Sequence, residues 1–160
     1  MTLPTRTERF AAQAAALGFP IDSEIRIGGH YRSVARHGDT VYVSGQIPRI
    51  NDTVVVTGRV GAGTSLEQAQ HAAKVCAMRA LALLQQELGS LDHIRQLLRM
   101  TVYVQCAEDF THHSEVADGA SHLLHHILGD AGLATRTSVG VYQLPKNASV
   151  ELDLIACSSI

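Results

Sequence analysis

Apolar positions along the 160 residues follow two periods, and each change of period marks a change of element. Residues 5–17 (TRTERFAAQAAAL) are good helix formers with Phe10, Ala14 and Leu17 on one face, and Gly18 and Pro20 stop the run. Alternation then takes over. Residues 32–36 and 40–47 are strand-like on either side of a His-Gly-Asp turn at 37–39. In the second piece Val41, Val43 and Gly45 alternate with Tyr42, Ser44 and Gln46. Asn51-Asp52 reads as a turn, and the run 54–60 as a third antiparallel strand. A long helix follows the glycines at 61 and 63, with Thr64-x-x-Glu67 or Ser65-x-x-Gln68 as its capping box. Leu66, Ala69, Ala73, Cys76, Ala80, Leu84 and Leu88 recur at helical spacing up to Gly89. Residues 94–105 turn strand-like in their second half, and 114–128 form a helix with Val116, Ala120, Leu123, Leu124, Ile127 and Leu128 on its apolar face. Strands at 137–143 and 149–157 flank the turn residues Leu144-Pro145-Lys146-Asn147.

Behind the N-terminal helix the order is therefore βββ-α-β-α-ββ. It predicts an α+β domain in which two helices cover one face of a mixed sheet. The length fits a single domain, residues 1–160. A hydrophobic share of 46% against 18% charged is ordinary for a globular chain. The absence of tryptophan and the 4% aromatic share call for an aliphatic, alanine-rich core. Small side chains bury little area each, a weak pointer to association between copies.

Charge and cysteine usage narrow the function classes. The formal net charge is −2 and the basic residues are scattered singly, so nucleic acid is not an expected partner. No basic segment followed by an apolar stretch opens the chain, and no apolar run reaches the ~18–20 residues needed to cross a bilayer. A soluble, cytoplasmic protein without a membrane partner is the expectation. Cys76, Cys106 and Cys157 lie far apart with no C-x-x-C pair, which reads as free thiols. His122 and His126 share one side of a helix with His125 nearby, but a zinc site needs three or four converging ligands. No metal or other cofactor is expected.

The segment from Arg136 through Thr-Ser-Val-Gly-Val-Tyr-Gln-Leu-Pro145 to Val150-Glu151 and Ala156 resembles the signature of the RidA/YjgF family, also called the endoribonuclease L-PSP family. Residues 28–48, with Tyr31 and Val43-Ser44-Gly45-Gln46-Ile47-Pro48, resemble that family's amino-terminal motif. The similarity covers about residues 25–158 and leaves residues 1–24 as a helical extension, the mark of a divergent subgroup. It implies a chorismate-mutase-like fold and a homotrimer with clefts between subunits. It also implies hydrolysis of reactive enamine and imine intermediates, such as 2-aminoacrylate, to 2-keto acids and ammonia.

An imino-acid hydrolase needs a cation for the substrate carboxylate and a positioned water for the imine carbon. The guanidinium fork suits the first task. By resemblance, Arg136 is the carboxylate-binding arginine and Glu151 the acid/base that positions water, both counted as catalytic. Resemblance likewise assigns Tyr31 and Gly45 to the cleft lining and Ser138 to a main-chain contact with the ligand. Where the family often has an asparagine early in the second helix, this chain offers Asp118 or Gly119, and Gly29-His30-Tyr31 stands in place of Gly-Pro-Tyr. An aspartate there would repel an anionic substrate unless protonated or turned away. The competing reading is a trimer that binds a small carboxylate-bearing metabolite for regulation without turnover. Ribonuclease action, the family's older label, is disfavoured by the missing basic stripe. The N-terminal helix could cover either the cleft mouth or a trimer edge.

Overall fold

The computed structural model describes residues 2–160. Helix α1 (Arg6–Leu17) opens with a capping box in which the Thr5 hydroxyl accepts from the Glu8 N–H at 3.2 Å and the Thr5 N–H donates to Glu8 Oε2 at 2.7 Å. Gly18 ends it with φ of 65°, a left-handed conformation that glycine adopts without strain. The hairpin β1 (Val34–His37) and β2 (Thr40–Gln46) follows as expected. Two two-residue ladders come next, β3 (Arg49–Ile50) with β4 (Thr53–Val54) and β5 (Arg59–Val60) with β6 (Gly63–Thr64). Then come α2 (Leu66–Leu88), β7 (Ile94–Gln105), α3 (His113–Leu128), β8 (Thr135–Val141) and β9 (Val150–Ser158).

The main sheet has the order β1-β2-β9-β7-β8, antiparallel throughout except for the β7/β8 pair, which is parallel. That pair is joined by α3, the crossover that parallel neighbours require. The expected α+β architecture with a mixed sheet is what the chain adopts. Helices α2 and α3 lie on one face, and α1 packs on the helices rather than on the sheet. Arg6 of α1 donates to the carbonyls of Leu91 and Ile94, and Arg9 to that of Ile127, so polar ties fix the helix as well as buried Phe10 and Ala14. Within one chain, residues 6–17 line neither of the two cavities described below.

The run 54–60 is not a strand of the main sheet. Only Thr53–Val54 and Arg59–Val60 pair, each in a two-residue ladder, and Thr57 makes one isolated bridge to Ala148. The reason is topological: β2 already lies between β1 and β9, so neither side of it is free for the next strand in sequence. At the long helix the capping alternatives resolve to Ser65 and Gln68, while Thr64 belongs to β6. Strand β8 begins at Thr135 and ends at Val141, not at 137 and 143, because its pairing with Arg99 and Met100 starts two residues earlier.

Alternation in β9 divides the sheet. Val150, Leu152, Leu154 and Ala156 are buried beneath the helices, whereas Glu151, Asp153, Ile155 and Cys157 lie on a face that no helix covers. Tyr42 (47% exposed) and Val139 (39%) share that open face. The core is aliphatic: alanines at 69, 72, 73, 77, 80 and 82 let α2 approach its neighbours closely. No helix among the described residues is long and apolar enough to cross a membrane.

Candidate functional site

Tyr31, Gly45 and Glu151, three of the residues singled out by sequence, line one cavity of about 220 Å³. Strand β9 sets Glu151 on the open face, and a bulge in β2 between Val43 and Gln46 brings Gly45 beneath it. A Cβ at position 45 would stand 2.1 Å from Glu151 Oε1, so a larger residue there would push the carboxyl aside. Burial, and then the Asp153 carboxylate beside it, push the Glu151 carboxyl above the ordinary glutamate range.

The same cavity contains four cations that the sequence reading did not select: Arg26, Arg49, Arg79 and Lys146. Arg79, on α2, is only 6% exposed. Its Nε donates to Gln46 Oε1 at 3.1 Å and its Nη1 to the Arg49 carbonyl at 3.1 Å. Desolvation lowers its pKa, since burial disfavours the charged form. One signal for it was present in the sequence: Arg79 interrupts the apolar run Cys76-Ala-Met-Arg-Ala-Leu-Ala-Leu-Leu84, where a charge can only be interior.

Arg136, Ser138 and Asp118 form a separate group. Along β8, Arg136 pairs with Met100 and Ser138 with Val102, both buried, so these two face the helices. Glu151 pairs with Tyr103, three residues from Met100 on a stretch of β7 free of bulges. Because successive side chains alternate, Arg136 and Glu151 lie on opposite faces of the sheet. Within one chain the two catalytic candidates do not meet.

The Arg136 fork is already engaged. Its Nη1 donates to Asp118 Oδ1 at 2.8 Å and Ser121 Oγ at 3.0 Å, and its Nη2 to Ser114 Oγ at 2.8 Å and the Ser114 carbonyl at 3.3 Å. Of the two residues at the family asparagine position, Asp118 is thus the one that reaches Arg136. Gly119 serves packing instead: a Cβ there would lie 2.5 Å from the Gln70 carbonyl oxygen of α2. Beyond Arg136 a cleft of about 660 Å³ holds Cys106 and His113, with Sγ 3.4 Å from Nε2. Burial raises the Cys106 pKa, which keeps it a thiol. His122, His125 and His126 are exposed, and no group of three metal-ligating side chains occurs among the described residues.

The sheet, its helical cover and these two separated clusters define a chorismate-mutase-like α+β protein with its polar chemistry on both faces of one sheet. The family model described as "YjgF/chorismate_mutase-like, putative endoribonuclease" matches residues 11–157, starting within α1. The chain belongs to the YjgF family. TCP17 of Trypanosoma cruzi is 34% identical over 148 residues, which span 92% of each chain. The crystal structure of Atu1372 from Agrobacterium tumefaciens, a protein of unknown function, superposes with a TM-score of 0.86 at 32% identity, covering 96% of this chain and 95% of that one. TdcF of E. coli, solved with bound serine, shares the fold at 23% identity and a TM-score of 0.62, with 88% and 96% coverage.

Proposed function

We propose that the chain hydrolyses reactive 2-imino acids and their enamine tautomers to 2-keto acids and ammonia. The work is done in a homotrimer, where the Arg136 edge of one copy meets the Glu151 cavity of the next. The observation that carries this reading is Glu151: a half-buried carboxyl with a raised pKa, set over a glycine in a cation-lined cavity. The uncovered sheet face favours association, and the opposite facing of Arg136 and Glu151 calls for a second copy to complete the site.

Glu151 moves the protons. As carboxylate it takes a proton from water while the oxygen adds to the iminium carbon, giving a carbinolamine. As acid it then protonates the amino group, the C–N bond breaks, and the keto acid and ammonium leave with the glutamate regenerated. A pKa raised above the ordinary glutamate range favours the acid half of this exchange. Arg136 orients the substrate carboxylate, exchanging Asp118 for the ligand. Protonated imines hydrolyse readily in water, so orientation supplies the acceleration.

Keto-acid release from 2-imino acids, generated in place by an amino-acid oxidase, tests this in wild type and Arg136→Ala. Acceleration by the wild type that falls at least about tenfold in an intact R136A trimer is expected. No acceleration with any imino acid refutes turnover. The engagement of Arg136 by Asp118 favours one alternative, a regulatory trimer that binds a small carboxylate metabolite unchanged. Tight metabolite binding without consumption would establish it.

A further inference from the structure

We infer that the Glu151 cavity reads a second carboxylate, so that the preferred ligands are dicarboxylic 2-oxo and 2-imino acids rather than alkyl ones. The inference rests on the proposed function for the 2-imino group and for the first carboxylate at Arg136; the anion-binding claim stands on the cavity itself.

Arg26, Arg49, Arg79 and Lys146 contribute four positive charges, against the single carboxyl of Glu151. Glu24 and Asp52 line a neighbouring recess with Arg26 and Arg49, yet no carboxylate comes within 4.0 Å of any of the four cations among the described residues. One of these guanidinium groups is out of bulk water. Arg79 is 6% exposed and Arg49 half-buried, with its Nε fully buried and without a hydrogen-bond partner. Arg79 and Arg49 are also close enough to repel, and Arg49 contributes to lowering the Arg79 pKa. Like charges held together without a counter-ion are expensive unless an anion joins them. Arg79 cannot turn away, because its Nε and Nη1 are fixed on Gln46 and on the Arg49 main chain. The ligand's first carboxylate belongs to Arg136 in the proposed assembly. An anionic group on the ligand's other end is therefore what the remaining cations accommodate, and Tyr31 and Ile47 leave apolar wall for a short chain between the two.

Calorimetric titration of the native assembly in phosphate-free buffer separates the cases. The probes are 2-oxoglutarate and 2-oxopentanoate, equal in chain length, the second with a methyl group where the first has its distal carboxylate. The 2-oxoglutarate should bind at least about tenfold more tightly, the range of a charge-assisted pair. Arg49→Met should erase that preference, bringing 2-oxoglutarate affinity down to that of 2-oxopentanoate; the Arg49 carbonyl that fixes Arg79 survives the substitution. Arg79→Met should do the same where its circular dichroism and trimer mass match wild type. Equal affinities, no binding of either acid, or an unchanged preference in R49M overturns the inference. A dicarboxylate preference without imine hydrolysis would sink the deaminase and leave this assignment standing; hydrolysis with equal keto-acid affinities would do the reverse.

Discussion

Gly119→Ala sets helix propensity against packing, and the two predict opposite signs. In an isolated helix the substitution would stabilise by about 1 kcal/mol, since alanine loses less backbone entropy. Here the added methyl meets the α2 backbone: 2.5 Å to the Gln70 carbonyl oxygen and 3.0 Å to its carbon and Cα. A carbonyl within a helix cannot rotate aside, so α3 has to withdraw by roughly 0.9 Å to restore ordinary contact. That movement also strains the bond from Gln70 Nε2 to the Glu115 carbonyl at 2.8 Å. Overpacking of this kind costs up to about 3 kcal/mol, leaving a net loss near 2 kcal/mol after the propensity gain. In a chain of this length that is roughly 4–8 °C in Tm. Thermal and urea unfolding at matched protein concentration measure it. A variant as stable as wild type, or more so, would mean that α2 and α3 do not cross at Gly119 as described.

Two further outcomes concern the site itself. Asp118→Asn keeps an oxygen acceptor for Arg136 but removes the competing charge; at this partly exposed pair the stability cost should stay below about 1 kcal/mol. Affinity for a carboxylate ligand should rise about fivefold at low salt, the value of one charge repelling another near a wet surface, and calorimetry showing weaker binding would exclude Arg136 as the ligand's partner. For Glu151 the native state holds the proton more tightly than the unfolded chain does. Its contribution to stability is therefore full below the ordinary glutamate pKa and is lost as pH rises through the raised native value. Urea midpoints of wild type should fall across that window and those of Glu151→Gln should not; parallel profiles would place Glu151 in water.

Much of this was legible along the chain. The capping residues and apolar stripes of α1, α2 and α3 are local signals, because each helix satisfies its own backbone and needs only one apolar face. Gly45 and Glu151 are separated by more than a hundred positions, yet each stood out within its own motif. The run 54–60 misled because β-branched residues specify extended backbone and not a pairing partner. Arg79 stands among the apolar neighbours of a buried helix, and only the packed structure shows a cavity at its end.

Periodicity and turn chemistry thus determined the three helices, the strands of the main sheet and the α+β class, which depend on neighbours a few residues apart. Tertiary structure alone decided that β8 runs parallel to β7 and β9 antiparallel to it, and with that on which face each side chain stands. Arg136 and Glu151 diverge because strand register fixes direction across the sheet, while packing draws Asp118 of α3 onto Arg136 and gathers cations from α2, β3 and two loops around one carboxyl. Register is set by partners distant in sequence, and no local pattern carries it.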